Sequence, residues 1–179
     1  VGYYGADTFR SYLMFIGPWE EGGPWSSRGI EGVSRFFNRV WKLVLEKPSE
    51  VEGQPSEQDI RKLKRKLHQT IRRVSEDMEA FKFNTMLAAL MEFSNYLIKA
   101  KETPLVKSQA WDETIRTFLL LLAPSAPHIT EELWARIGGP YSIHQKAWPT
   151  WDRELAAEEI ITMVVQVNGK VRDRIEVPI

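Results

Sequence analysis

The chain has 179 residues, 43% hydrophobic and 27% charged, which is the composition of an ordinary globular protein with room for one well-buried domain and a small appendage. Its formal net charge is zero, so any electrostatic attraction to nucleic acid must come from a local concentration of charge. The absence of cysteine excludes disulfides and thiolate metal sites and fits a reducing, cytoplasmic compartment.

The first predicted helix begins near Asp7, a plausible N-cap, and runs to about Phe15 with apolar residues at helical spacing. The inward positions are Phe9, Tyr12, Leu13 and Ile16. Residues 19–25 form a loop rich in Gly, Pro and Trp, and we expect its two tryptophans to pin it onto the other helices. Because the chain starts with Val and enters a helix almost at once, we expect it to be part of a longer protein.

The second predicted helix, residues 26–46, is the most strongly two-sided segment of the chain. Its apolar stripe consists of Ile30, Val33, Phe37, Val40 and Val44, with Trp41 beside it. The opposite side carries four cations, Arg28, Arg35, Arg39 and Lys42, with Asn38 at the border. We call these four cations the α2 cationic face; their charge alone is equally compatible with a merely solvated surface.

After a linker over residues 47–55, Ser56 and Asp59 predict the start of a third helix with a narrow apolar seam. Cations surround that seam on every exposed side, including Arg61, Arg65 and Arg72. Residues 84–101 and 108–122 predict two further helices; in the second, the segment 119–122 is apolar all round, so this helix is expected to be central. A sixth helix is expected from Pro127 to about residue 137.

The period of the pattern changes from helical spacing to strict alternation after residue 160. Residues 160–178 alternate around Asn168-Gly169 and predict a β-hairpin, with a three-residue loop or a bulge at Gly169. The expected fold is therefore mainly α: a helical bundle over residues 1–150, then a connector and a C-terminal β-hairpin over 151–179, which begin a truncated α/β domain.

No catalytic or metal-binding pattern is visible in the chain. His68, His128 and His144 are the only histidines and none has a partner at metal-ligand spacing. His128, at a helix start, is expected to be a structural hydrogen-bonding residue. There is no glycine-rich phosphate loop, and the longest apolar run, residues 118–123, is too short to cross a membrane.

Several stretches resemble the C-terminal part of class I aminoacyl-tRNA synthetases for large aliphatic amino acids. YGADTFRSYLMFIGP, residues 4–18, is similar to the segment after the KMSKS loop, and LLAPSAPHITEELW, residues 121–134, resembles the late-bundle signature of these enzymes. GIEGVSRFFNRVW, residues 29–41, and VVQVNGKVRDRIEVP, residues 164–178, resemble the bacterial leucyl type, and SIHQKAWP, residues 142–149, agrees.

The resemblance implies a helical bundle of the anticodon-binding type, followed by the first hairpin of a small C-terminal domain. The parent enzyme would join leucine to tRNA-Leu using ATP with Mg²⁺. The HIGH and KMSKS motifs and the editing domain lie outside this stretch, so no cofactor and no catalysis are expected here. In the bacterial leucyl type the tRNA is held along its stems and elbow, and the anticodon is largely unread.

We therefore expect contact with the tRNA stem backbone through the α2 cationic face and Asn38, supplemented by Arg61, Arg65 and Arg72. Two alternatives stay open. The bundle could be a structural brace for the catalytic core, with tRNA held by the missing C-terminal domain. It could also belong to a valyl or isoleucyl enzyme, although the NGKVRDRI hairpin argues against that.

Overall fold

The computed structural model describes residues 2–157 and, for the backbone alone, residues 160–167 and 170–178. The α-helices are α1 (Ala6–Phe15), α2 (Ser27–Leu45), α3 (Glu57–Glu79), α4 (Phe83–Ala100), α5 (Gln109–Leu122), α6 (Pro127–Arg136) and α7 (Arg153–Ala156). Short 3-10 helices span Pro104–Lys107 and Ile143–Gln145. Two antiparallel strands, β1 (Ile160–Val167) and β2 (Lys170–Pro178), follow the bundle. The prediction of a mainly helical fold is confirmed.

Three of the predicted helix starts are confirmed by their caps. The hydroxyl groups of Ser26, Ser56 and Ser108 accept hydrogen bonds from the backbone N–H groups of Gly29, Asp59 and Trp111. Each bond satisfies one of the N–H groups that a helix start leaves without a partner. Pro127 occupies the first turn of α6, where its missing N–H costs nothing.

The core lies between α1–α6, and α5 contributes eight buried residues to it. Phe118, Leu119, Leu121 and Leu122 are all fully buried, which confirms that α5 is central. The buried stripe of α2 differs slightly from the predicted one: Phe36 and Leu43 are buried, whereas Val44 is only half-buried. The prediction that Leu13 points inward is wrong, because its side chain is 44% exposed and Ser11 takes the buried position instead.

Asp7 does not cap α1, contrary to the prediction. The N-cap of α1 is Gly5, and the Asp7 carboxylate reaches the start of α6, where it accepts hydrogen bonds from the His128 ring (Nδ1, 2.7 Å) and from the Ile129 N–H (2.7 Å). Asp7 therefore caps α6 from a distant part of the chain. The predicted structural role of His128 is confirmed by this contact.

The strands pair with Ile161 opposite Val177 and Met163 opposite Ile175, and the register is irregular between Val165 and Gln166. The predicted three-residue loop or bulge at Gly169 falls on residues 168 and 169, which lie outside the described residues.

Candidate nucleic-acid interface

The start of α2 is fixed by α1. Besides the Ser26 cap, the Tyr12 hydroxyl accepts a hydrogen bond of 2.6 Å from the Ser26 N–H. The ring of Tyr12 passes so close to Gly29 that a Cβ there would lie 2.7 Å from it. The glycine at this position therefore allows the two helices to meet, and it sets the rotation of α2 about its own axis.

That rotation buries one side of α2 and exposes the other. Ile30, Val33, Phe36 and Val40 are at most 2% exposed, so the helix cannot turn without opening the core. The four cations of the α2 cationic face are all exposed, on the side opposite this stripe. The structure thus leaves Arg28, Arg35, Arg39 and Lys42 exposed along α2, as the sequence predicts.

The ion pairs on the α2 cationic face are weak. Arg35 meets Glu31, and Lys42 meets Glu46, each at 3.9 Å and with well-exposed side chains. Exposed pairs of this kind contribute at most about 1 kcal/mol, so these cations can turn to an incoming anion at little cost. Within residues 2–157, Arg28 and Arg39 have no carboxylate within 4.0 Å.

Asn38 faces a different feature from the four cations. It is exposed at the edge of a cavity of about 580 Å³ between α1, α2 and α6, which Trp41 and His128 also line. One face of the Trp41 ring is covered by the guanidinium of Arg136, 5.0 Å from the ring centre. Asn38 therefore borders the α2 cationic face but opens into this cavity.

The C-terminal end of α2 is held by a buried lysine from the end of α4, which sequence reasoning missed. Lys101 is 9% exposed, and its Nζ donates to the carbonyl oxygens of Lys42 (2.9 Å) and Leu43 (3.0 Å). An ammonium group at this place satisfies last-turn carbonyls and opposes the negative end of the helix dipole. Burial lowers the pKa of Lys101, while Glu46 and Glu102 act in the opposite direction.

The cations of α3 have different surroundings. Arg61 is exposed and Arg65 is half-buried, but the guanidinium of Arg72 lies over the Trp151 ring, 5.5 Å from its centre. The neighbouring Arg73 donates to Glu92 at 3.0 Å. The C-terminal half of α3 therefore directs its arginines at other parts of the same chain.

The segment 148–157 lies across α3 and provides the ring that Arg72 contacts. The Trp148 indole N–H donates to Ser75 (2.8 Å), the Asp152 N–H donates to His68 Nδ1 (3.0 Å), and the Gln69 amide donates to the carbonyl of residue 156 (3.1 Å). Burial lowers the pKa of His68, with a smaller contribution from Lys64, while Asp152 opposes the shift. We call residues 148–157 the α3 strap. The sequence signalled it only through its two tryptophans.

Neither a metal site nor a membrane helix is present in the part of the chain whose side chains are described. Residues 2–157 contain no group of three or more His, Asp and Glu side chains placed to hold a metal ion. Among the described helices, none has the length and apolar character needed to span a bilayer.

Comparison with known proteins decides the family. The family model described as "Anticodon-binding domain of tRNA ligase" matches residues 61–179. The chain belongs to this family. Its homologues within the family are leucine–tRNA ligases: it is 52% identical to those of Dehalococcoides mccartyi strain BAV1, over 178 residues, and Rubrobacter xylanophilus, over 179 residues.

A solved relative in the same family has a similar fold. It is the agnB2 LeuRS of Agrobacterium radiobacter K84, crystallised as a ternary complex with tRNA and LeuAMS. The match has a TM-score of 0.77 at 31% identity and covers 98% of the chain. The chain spans only about a fifth of these longer proteins, 22% of the Dehalococcoides ligase and 24% of the Agrobacterium chain.

Proposed function

We propose that this chain is the tRNA-binding accessory region of a leucine–tRNA ligase, and that its α2 cationic face contacts the backbone of a tRNA stem. The parent enzyme would attach leucine to tRNA-Leu in the cytoplasm, with ATP and Mg²⁺ bound in parts of the protein outside this chain. Catalysis is not proposed for residues 1–179. The proposal rests on the family, on the leucine–tRNA ligase relatives and on the exposed cations of α2.

The RNA contact is supported by the exposure of the α2 cations on a helix that is held firmly by its buried side. Phosphate contacts need long cations on an exposed, rigid surface, and they position an RNA without reading its bases. The cations of α2 stand on a helix whose opposite side is buried, and their own ion pairs are long and exposed. Asn38 adds one amide beside them, at the edge of the neighbouring cavity.

For α3 we propose fewer RNA contacts than the sequence suggested. Arg61 remains available at the exposed N-terminal turn, and Arg65 lies one turn further along the helix. Arg72 is already stacked on Trp151, so we propose that it secures the α3 strap rather than the RNA. The α3 strap then leads to the hairpin, which we propose begins the C-terminal α/β domain, with the boundary near residue 150.

The alternative is a structural brace for the catalytic core, and the intramolecular contacts of Arg72 and Arg73 favour that role for α3. If the bundle is only a brace, none of its surfaces needs to bind RNA, and this distinguishes the brace from the proposed function. The valyl or isoleucyl alternative gains nothing from the comparisons, because the relatives described above are leucine–tRNA ligases.

A salt titration of tRNA binding tests the proposal. The 179-residue chain is titrated with tRNA-Leu and with an unrelated tRNA, next to the variant Arg35→Ala/Arg39→Ala/Lys42→Ala. We expect affinity to fall linearly with the logarithm of salt concentration, and the triple variant to lower the slope by about three units, one for each lost phosphate contact.

The matched control is Lys62→Ala/Lys82→Ala/Arg153→Ala, which removes the same charge from exposed positions outside the proposed contacts. An equal loss of slope in both variants would mean that only net charge matters, and it would refute a contact surface on α2. Absence of binding at low salt by a folded chain would favour the brace. Equal binding of both tRNAs would place leucine-tRNA discrimination in the rest of the enzyme.

A further inference from the structure

A small cleft lies where the end of α2, the start of the linker and the end of α4 meet. Its volume is about 330 Å³, several times the roughly 30 Å³ that one water occupies in the liquid. Leu43 and Ile98 provide its apolar part, and the charged residues around it are Arg39, Lys42, Lys47 and Lys101 together with Glu46 and Glu102. Four cations therefore surround the cleft against two carboxylates.

Each of the two carboxylates already has a partner among the residues that line the cleft. Glu102 accepts a hydrogen bond of 2.9 Å from the Ser49 hydroxyl, and Glu46 meets Lys42 at 3.9 Å with 61% of its side chain exposed. Neither carboxylate lies within 4.0 Å of the Lys101 Nζ. The buried ammonium is thus held by backbone carbonyls and has no close counter-ion among residues 2–157.

Within residues 2–157, hydrogen-bond acceptors are found for two of the three protons of the Lys101 ammonium. An ammonium group carries three protons, and the carbonyl oxygens of Lys42 and Leu43 take two of them. Because those carbonyls hold the group in place, its third proton is available without further loss of side-chain freedom. A buried cation with an unused donor, lining a cleft with three more cations, matches the chemistry of a small oxyanion.

We propose that this cleft seats one phosphate of an RNA backbone, with Lys101 as the innermost donor and Arg39, Lys42 and Lys47 around it. The inference rests on the proposed tRNA-binding function, and it adds Lys101 and Lys47 to the contact surface. It also gives the α2 cationic face a fixed point, because Lys101 is held by two carbonyl groups, whereas Arg39, Lys42 and Lys47 are exposed side chains. The phosphate would bring an anionic oxygen within hydrogen-bonding distance of Lys101, whereas Glu46 and Glu102 both lie more than 4.0 Å from its Nζ.

The first experiment uses inorganic phosphate as the probe. The ¹⁵N-labelled chain is titrated with phosphate while the Nζ resonance of Lys101 is followed by NMR, assigned by its loss in Lys101→Met. We expect that resonance to shift with saturation, and we expect the pKa of Lys101 to rise when phosphate is bound, because an anion favours the charged form. Lys101→Met should weaken phosphate binding about tenfold, the effect of losing one charge-assisted hydrogen bond.

Lys107→Met is the matched control. The Nζ of Lys107 also donates to a backbone carbonyl, that of Gly53 at 2.9 Å, but Lys107 lies outside the cleft lining. It should leave phosphate affinity unchanged. Because Lys101→Met could unsettle the end of α2, Lys47→Gln serves as a second variant; Lys47 is exposed, and we expect a two- to threefold loss. Equal effects of the Lys107 and Lys101 changes would overturn the assignment.

The second experiment repeats the measurement with tRNA. We expect tRNA-Leu to displace phosphate from Lys101. We also expect the salt slope of tRNA binding to be lower by about one unit in Lys101→Met. Both results together would support an RNA phosphate as the occupant. If tRNA binding depends on Arg35 and Arg39 but the Lys101 resonance does not shift, the phosphate site at Lys101 is overturned. The proposed function would still stand in that case. A phosphate shift without any tRNA binding would instead overturn the RNA assignment and the proposed function together.

Discussion

Helices α2 and α3 are both rich in cations, but they use them in opposite ways. On α2, Arg28 and Arg39 have no carboxylate within 4.0 Å among residues 2–157, and the pairs of Arg35 and Lys42 are long. On α3, Arg72 is stacked on Trp151 and Arg73 is bonded to Glu92. A count of charges along the sequence rates α3 higher, whereas the packing leaves α2 more open to a partner.

The difference follows from what covers each helix. Within residues 2–157, the ion pairs of the α2 cationic face stay on that helix and its C-cap residue, Glu46, while the α3 strap crosses α3 and is bonded to His68, Gln69 and Ser75. A cation that already contacts its own chain is less free to turn toward a phosphate. The following changes test first the core that supports both helices and then the contrast between them, in order of the expected effect on stability.

Phe118→Ala should have the largest effect, because α5 supports the whole bundle. The side chain is fully buried and packs edge-on against Phe93 with ring centres 6.0 Å apart. We expect a loss of about 3–5 kcal/mol in the free energy of unfolding, measured by urea denaturation. Leu13→Ala, at a 44% exposed position, should cost less than about 1 kcal/mol. Similar losses would mean that the core is not centred on α5.

Trp151→Ala should loosen the α3 strap and leave α2 as it is. The change removes the ring under Arg72, and a cation–π contact at a partly exposed site contributes about 1 kcal/mol. The measurement is hydrogen exchange: the amide of Asp152 should exchange faster, while amides within α2 keep their protection. Faster exchange in both places would show that α2 depends on the strap, and the contrast between the helices would fail.

The same contact predicts a pH dependence through His68. Its Nδ1 accepts a hydrogen bond from the Asp152 N–H, so only an imidazole without a proton on Nδ1 can hold the strap. Since burial lowers the pKa of His68 below its ordinary 6.5, the folded state binds this proton less readily than the unfolded state. The contribution of His68 is therefore complete above pH 6.5 and is lost as pH falls through the folded-state pKa.

Urea denaturation between pH 5 and 8, with His68→Gln as the control, measures this contribution. The difference in unfolding free energy between the two proteins should shrink as the solution becomes more acidic. The groups that influence His68 directly are Asp152 and Lys64, so changes at other histidines should leave this difference intact. A difference that stays constant with pH would show that His68 does not hold the strap.

Arg39→Ala should change stability least and RNA binding most specifically. It lies on an exposed surface without an ion pair in residues 2–157, so the free energy of unfolding should stay within about 0.5 kcal/mol. The salt slope for tRNA binding should fall by about one unit, whereas Arg72→Ala should leave the slope unchanged. A larger effect from Arg72 than from Arg39 would reverse the comparison of the two helices.

Local sequence signals gave the helices well but not the contacts between them. The serine caps at Ser26, Ser56 and Ser108 are short-range features, and their prediction is confirmed. The same local rule assigned Asp7 to α1, whereas its carboxylate caps α6. A cap supplied from another part of the chain leaves no short-range pattern, so the sequence could not reveal it.

At the candidate site, too, the local pattern was predictable from the sequence and the long-range contacts were not. Helical periodicity placed Arg28, Arg35, Arg39 and Lys42 on one exposed face, because the apolar stripe opposite them fixes the orientation of α2. Periodicity could not show that Trp151 would take Arg72, nor that Lys101 would reach the end of α2. Both contacts join residues far apart in sequence, and only the fold determines them.

The capping of α6 by Asp7 also affects how the chain folds while it is being synthesised on a ribosome. Asp7 is separated from its partner His128 by 121 positions, and Ser11 bonds the carbonyl of Ser125 across 114. Helix α1 leaves the exit tunnel before α6, so it must wait for α6 before these polar contacts can form. Closing so long a loop is entropically slow, and during synthesis the nascent α1 would expose Tyr12 until α2, α4 and α6 have emerged.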